Sequence, residues 1–231
     1  MVKAIGFDVG STLIKYKNPL NWQTLYRPAL EKAARDCHIT LPESGIQTAI
    51  EILTKYNTRI NYREVEVTSD RIFGEILQKW NLDTDLNALK AGFYSFFHAG
   101  AQPYPEAAGV LKELKKKGIK TGILTDVAYG MDNVFSLKDI EELSEFIDIA
   151  LTSVDVGWRK PNSAGYMRLL DYFGVSPEEM LFVGDEEKDI IGANRLGIVS
   201  VLINRTGDRR EFGQDYTVNS LSPLVSFCLY S

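Results

Sequence analysis

Gly6-Phe7-Asp8-Val9-Gly10-Ser11-Thr12-Leu13 closes an apolar run, residues 3–9, with an aspartate and a small, hydroxyl-rich turn. The run is nearly continuous in its apolar character rather than alternating, which predicts a strand buried on both faces, as in a parallel sheet. Working outward, similar runs recur at 119–125, 147–152, 180–184 and 198–203. An aspartate just past such a strand stands at the edge where open α/β sheets bind ligands. The turn after it offers backbone N–H groups to an anion. On its own, Asp8 reads equally well as a simple turn cap.

The segments between the runs read as helices. Residues 106–117 place Val110, Leu111 and Leu114 on one face and stop at Gly118, while 162–173 stop at Gly174 and 186–196 at Gly197. Glycine suits the left-handed residue that ends a helix. Ser176-Pro177-Glu178-Glu179 has a capping-box pattern. Strand and helix in alternation imply a doubly wound parallel α/β sheet. From 18 to 102 the alternation fails, and helical segments near 20–37, 43–57, 68–80 and 85–98 carry the apolar residues instead. The expected organisation is an α/β core at 1–17 and 103–231 with a helical insertion at 18–102. A length of 231 residues suits one such core plus one insertion.

Composition excludes several classes. The chain is 45% hydrophobic and 25% charged, with net charge −5, so it shows neither the profile of a disordered chain nor a basic nucleic-acid footprint. No apolar run approaches the ~18 residues of a membrane span, and the N-terminus lacks a signal-peptide pattern. Cys37 and Cys228 have no metal-ligand spacing, and a reducing, cytoplasmic setting is expected.

A second constellation is Phe182-Val183-Gly184-Asp185-Glu186-Glu187-Lys188-Asp189, with Asp185 at a strand end and Asp189 one turn into the next helix. If adjacent strands bring Asp8 beside them, three carboxylates share a small volume, and a hard cation such as Mg²⁺ would balance them. Glu186, Glu187 and Lys188 read as a solvated first turn. Thr125 ends the second run and Lys160 precedes Pro161 and a helix. A hydroxyl and an ammonium are what a phosphoryl group needs around it. Trp158 and Arg159 remain open between packing and solvation.

Taken in order, strand-Asp, strand-Thr, Lys-Pro and strand-Gly-Asp-xxx-Asp resembles the haloacid dehalogenase-like hydrolase superfamily, over nearly the whole chain. Tyr104-Pro105-Glu106-Ala107-Ala108 through Thr125 resembles its phosphoglycolate phosphatase-like branch, and Gly192-Ala193-Asn194-Arg195-Leu196-Gly197 matches its helix end. The resemblance implies a Rossmann-like sheet with an all-helical cap that chooses the substrate. It implies a phosphatase acting on a small phosphorylated metabolite through an aspartyl-phosphate on Asp8. Thr125 and Lys160 would be the other catalytic residues, and Ser11, Thr12 and Asp126 would lie along the substrate. Mg²⁺ would be held by Asp8, the Gly10 carbonyl, Asp185 and Asp189.

The chain departs from that pattern at Gly10, where the family's phosphatases carry an acid/base aspartate, and at Ser11, where a glycine is usual. A general acid contributes roughly 10²–10⁴ in rate, and glycine transfers no proton. Asp126, Tyr16 and Tyr26 are candidate replacements. Other readings stay open: a non-catalytic phosphate-binding protein, a dehalogenase, or a phosphonatase with Lys55, Lys79 or Lys90 as its cap lysine. Asp8 to Lys15 also resembles the first phosphate loop of the actin, sugar-kinase and Hsp70 superfamily, which requires a β-hairpin directly after the loop and a second, duplicated domain.

Overall fold

The computed structural model describes residues 1–98 and 100–227; Cys228 lies outside the described residues. Its strands are β1 (Ala4–Phe7), β2 (Ile14–Lys15), β3 (Gln102–Pro103), β4 (Lys120–Thr125), β5 (Ile149–Thr152), β6 (Met180–Gly184), β7 (Val199–Ile203) and β8 (Tyr216–Val218). Its helices are α1 (Tyr26–Asp36), α2 (Glu43–Tyr56), α3 (Ser69–Trp80), α4 (Leu86–His98), α5 (Ala107–Lys116), α6 (Asn133–Ser136), α7 (Ser153–Val156), α8 (Ser163–Phe173), α9 (Glu187–Asn194) and α10 (Leu224–Phe227). Two compact units result. One comprises Met1–Lys15, Gln102–Asp126 and Asp139–Ser231, the other Tyr16–Ala101 and Val127–Lys138.

The first unit is a doubly wound α/β sheet of six parallel strands in the order β5-β4-β1-β6-β7-β8. The apolar runs form five of its strands, β5 at one edge and the other four inside, and every residue of β1 and β6 is buried. Helix α8 packs on β4 and β5, α9 on β6 and β7, and α5 on β4 with α10 beside it. Tyr166, Leu169, Phe173 and Phe182 fill the layer under α8, each close to wholly buried. Each such side chain contributes about 2–3 kcal/mol on burial. The helix stops fall where expected: Gly118, Gly174 and Gly197 all have positive φ. Both arms of the Ser176 capping box are made, although it opens a single 3₁₀ turn.

Three features of this unit differ from expectation. Strand β5 begins at Ile149 rather than 147, because the Asp148 carboxylate accepts the Thr121 N–H at 2.7 Å. Strand β8 joins the sheet edge unforeseen, being short with only Val218 buried. Strand β2, also unforeseen, pairs antiparallel with the distant β3, so no hairpin directly follows the Asp8 loop. The actin and sugar-kinase reading therefore lacks its required element.

The second unit is all-helical. Helix α1 packs on α2 and α4, and α3 on α2 and α4. Ile72, Phe73, Leu30 and Phe93 are buried at its centre. Its first helix begins at Tyr26, preceded by a 3₁₀ turn at Gln23–Leu25, rather than at 20. Residues 127–138, expected in the core, group with the helices for identifiable reasons. Tyr129 is buried and its hydroxyl meets that of Tyr26. The Tyr94 hydroxyl donates to the Tyr129 carbonyl, and Asp132 pairs with Lys90 at 2.8 Å. Trp22 stacks on Phe97, and Arg27 pairs with Glu43, so both serve this unit's own packing and surface. Among the described residues no helix is long and apolar enough to cross a membrane.

Candidate active site

Parallel register places Phe7 beside both Ile123 and Val183, so Asp8, Thr125 and Asp185 leave the sheet at one edge. The Asp8 N–H donates to the Val183 carbonyl at 2.9 Å, tying the turn to β6. One carboxylate oxygen from each of Asp8, Asp185 and Asp189 lies within 4.8 Å of the others. Gly184 makes this possible, since a Cβ there would collide with the Asp189 carboxylate.

Lys160 reaches this cluster from a sequence distance of 152 residues. Its ammonium lies 2.5 Å from Asp8 Oδ1 and 2.6 Å from Asp189 Oδ1, with the side chain 1% exposed. The Lys160–Pro161 peptide is cis. Burial works against the charge on Lys160, but Asp189 and Asp8 prevail and hold its pKa well above the ordinary value. Burial raises Asp8 to about 6, with Lys160 pulling it down and Asp189 pushing it up. Asp185 rises to about 8 through burial and then through repulsion from Asp8, Asp189 and Glu186. Among the described residues no cation forms an ion pair with it. Oxygen-only donors crowded together with unbalanced charge suit a hard divalent cation. Asp189 differs from the other two, because its second oxygen already accepts the Glu186 N–H at 3.0 Å.

The turn itself is tightly wound. The N–H groups of Thr12, Leu13 and Ile14 all donate to the Val9 carbonyl, and that of Ser11 donates to Ile14. Amides 11–14 are therefore spent within the turn, whereas those of Val9 and Gly10 have no acceptor among the described residues. Ser11 sits at φ 56°, the left-handed region where glycine is favoured. Thr12 is wholly buried and its hydroxyl has no hydrogen-bond partner among the described residues. That hydroxyl is enclosed in the interior. Thr125 is half-buried at the sheet edge.

Asp126 takes a different position from the one expected of a replacement acid. Its Oδ1 accepts the Lys160 backbone N–H at 3.0 Å. Its Oδ2 lies 2.9 Å from Lys188 and 4.0 Å from Arg159. Burial would raise its pKa, but Lys188, Arg159 and Lys160 together lower it to about 2. A carboxylate so held is ionised at neutral pH and donates no proton. Burial raises the pKa of Tyr26, and its hydroxyl is engaged by Asn57 and Tyr129 within the helical unit.

Three site residues escaped the sequence reading. Lys188, read as solvated, has a side chain only 26% exposed and bridges Asp126 and Glu186. Arg159 is 6% exposed beside Asp126, whereas its neighbour Trp158 is exposed. Arg205 binds the turn from behind. None carries a local signal, because each becomes buried only through residues distant in sequence.

A family model described as haloacid dehalogenase-like hydrolase matches residues 2–197. The chain belongs to this family of hydrolases. A protein of Methanopyrus kandleri named glyceraldehyde 3-phosphate phosphatase is 28% identical over 215 residues, covering 89% of this chain and 85% of that protein. One of the same name from Methanocaldococcus jannaschii is 29% identical over 240 residues, covering 97% and 96%. The crystal structure of a HAD phosphatase from Thermococcus onnurineus superposes with TM-score 0.67 at 24% identity, over 98% of this chain and 97% of that one. At that identity, the last likeness speaks for the fold.

Proposed function

We propose that this hydrolase is a Mg²⁺-dependent phosphatase of the cytoplasm, acting on a small phosphorylated metabolite through Asp8. The carrying observation is the juxtaposition of Asp8, Asp185 and Asp189 with the ammonium of Lys160 inserted between two of them. Asp8, the Gly10 carbonyl and Asp185 would hold the ion. Asp189, engaged by Lys160 and Glu186, chiefly holds Lys160 in place. When bound, Mg²⁺ offsets the repulsion between the carboxylates and an incoming phosphate and polarises the phosphoryl oxygens.

Asp8 Oδ2 attacks phosphorus while Oδ1 stays with Lys160. The bond to the leaving oxygen breaks, and an aspartyl-phosphate forms. Water then cleaves the acyl-phosphate, releasing inorganic phosphate and restoring the carboxylate. Lys160 and the Thr125 hydroxyl donate to phosphoryl oxygens, as do the Val9 and Gly10 amides. With Gly10 in place of a proton donor, the site favours substrates whose leaving group needs no protonation, such as acyl or aryl phosphates. The two relatives named glyceraldehyde 3-phosphate phosphatase support a small phosphorylated substrate. The acidic cluster at Asp185 speaks against a metal-free dehalogenase. Lys90, paired with Asp70 and Asp132, and Lys55, paired with Glu75, are poorly suited to covalent chemistry on a carbonyl.

A panel of alkyl, aryl and acyl phosphates, assayed with and without Mg²⁺, tests this reading. Turnover should require Mg²⁺, vanish in Asp8→Asn and favour aryl and acyl phosphates. Gly10→Asp should raise turnover of alkyl phosphates by roughly 10²-fold or more. Metal-independent halide release from a 2-haloacid, or no turnover anywhere on the panel, would overturn it.

A further inference from the structure

The Arg205 guanidinium lies behind the Asp8 turn, and all three of its nitrogens donate to that turn and its flank. Nε donates to the Ser11 carbonyl at 3.1 Å and Nη2 to the Thr12 carbonyl at 2.8 Å. Nη1 pairs with Glu106 at 2.8 Å, and Glu106 also accepts the Leu221 N–H at 3.4 Å. The guanidinium carbon stands 3.4 Å from the centre of the Tyr104 ring, and the Tyr104 N–H takes the next carbonyl, Leu13, at 2.9 Å. Three successive carbonyls of the turn are thus held from one side. The residue at the head of this series is Ser11, whose left-handed backbone costs energy for serine but not for glycine. The φ of Ser11 also sets the direction of the peptide before it, which carries the Gly10 carbonyl.

We propose that Arg205 is a positioning residue for the turn: by fixing the Ser11 and Thr12 carbonyls it keeps Ser11 left-handed and aims Gly10 at the site. This rests on the phosphatase reading above for its catalytic consequence, though not for its structural one. A fork of donors on a planar group is required, so lysine does not substitute. Loss of the clamp should be relieved by giving position 11 the residue that adopts this backbone freely.

Four full-length proteins test the proposal: wild type, Arg205→Lys, Arg205→Ala and Arg205→Ala combined with Ser11→Gly. Mg²⁺ affinity is measured by calorimetry, exchange of the Thr12, Leu13 and Ile14 amides in metal-free protein, and kcat and KM on the best substrate of the panel. Both single variants should bind Mg²⁺ about tenfold more weakly and exchange these amides faster, with kcat falling more than KM rises. Adding Ser11→Gly should recover about threefold or more of each loss. An Arg205→Ala protein within about twofold of wild type in Mg²⁺ affinity and amide exchange overturns the proposal. So does a defect that Ser11→Gly leaves untouched, since that marks general destabilisation. If wild type binds Mg²⁺ but turns over nothing, the phosphatase reading fails, while the affinity and exchange measurements still decide the role of Arg205.

Discussion

Asp126→Asn should cost stability in proportion to the ionisation it removes. In the folded protein the carboxylate lies among Lys188, Arg159 and the Lys160 amide with 4% of its side chain exposed, and its pKa is about 2 against an ordinary 3.8. A depressed carboxylate pKa stabilises the fold fully above its unfolded value, and the contribution disappears as pH falls through the folded one. The difference corresponds to about 2 kcal/mol at pH 7, present above about pH 4 and lost toward pH 2. In a chain of this size it amounts to a fall of roughly 4–8 °C in melting temperature. Asparagine keeps an acceptor for the Lys160 N–H but leaves Lys188 and Arg159 facing a neutral group. Urea denaturation in EDTA at pH 7, 5 and 3 measures the difference between wild type and variant. Titrations of other groups cancel in that difference. It should be constant from pH 7 to 5 and shrink at pH 3. A difference below about 0.5 kcal/mol at pH 7, or one that fails to shrink, refutes the assignment of Asp126 as a permanently ionised anchor.

Lys160→Met removes the cation between Asp8 and Asp189 and should destabilise the metal-free protein by about 3–5 kcal/mol, measured by the same denaturation, because it leaves buried carboxylates uncompensated. A loss under about 1 kcal/mol would show that the ion pairs are not formed in solution. Asp185→Asn should act in the opposite direction: removing a buried acid crowded by Asp8, Asp189 and Glu186 stabilises the metal-free protein in thermal melts. Mg²⁺ at a hundred times its Kd should stabilise wild type by about 2.7 kcal/mol and leave Asp185→Asn unmoved, and equal shifts in both proteins would place the ion elsewhere.

Much of the candidate site was legible because its members end buried strands. Asp8, Thr125 and Asp185 each follow an apolar run, and parallel pairing carries residues in that position to one edge. Asp126 was visible as a neighbour of Thr125, but its task was not. Nothing in Thr125-Asp126 announces that two cations 33 and 62 residues away will keep the carboxylate ionised. Lys188 misled for the same reason. In Glu186-Glu187-Lys188 it resembles any solvated first turn, and only its place against Asp126 removes it from water. The segment 127–138 offered no apolar period strong enough to assign it, and its attachment to the helices rests on Tyr129 and Asp132 singly.

The chain's sequence by itself determined the buried strands, the helix stops, the helical insertion and the order in which acids, hydroxyl and lysine occur. These are local properties, set by hydrophobic period, backbone preference and capping within a few residues. Tertiary structure alone decided which charges are paired, which amides of the turn remain for an anion, and what holds Ser11 in its left-handed shape. Those depend on burial and on neighbours brought from far along the chain, such as Lys160 at Asp8 and Arg205 behind Ser11. The strength of a charge pair follows from how completely water is excluded around it, and only the packed fold sets that.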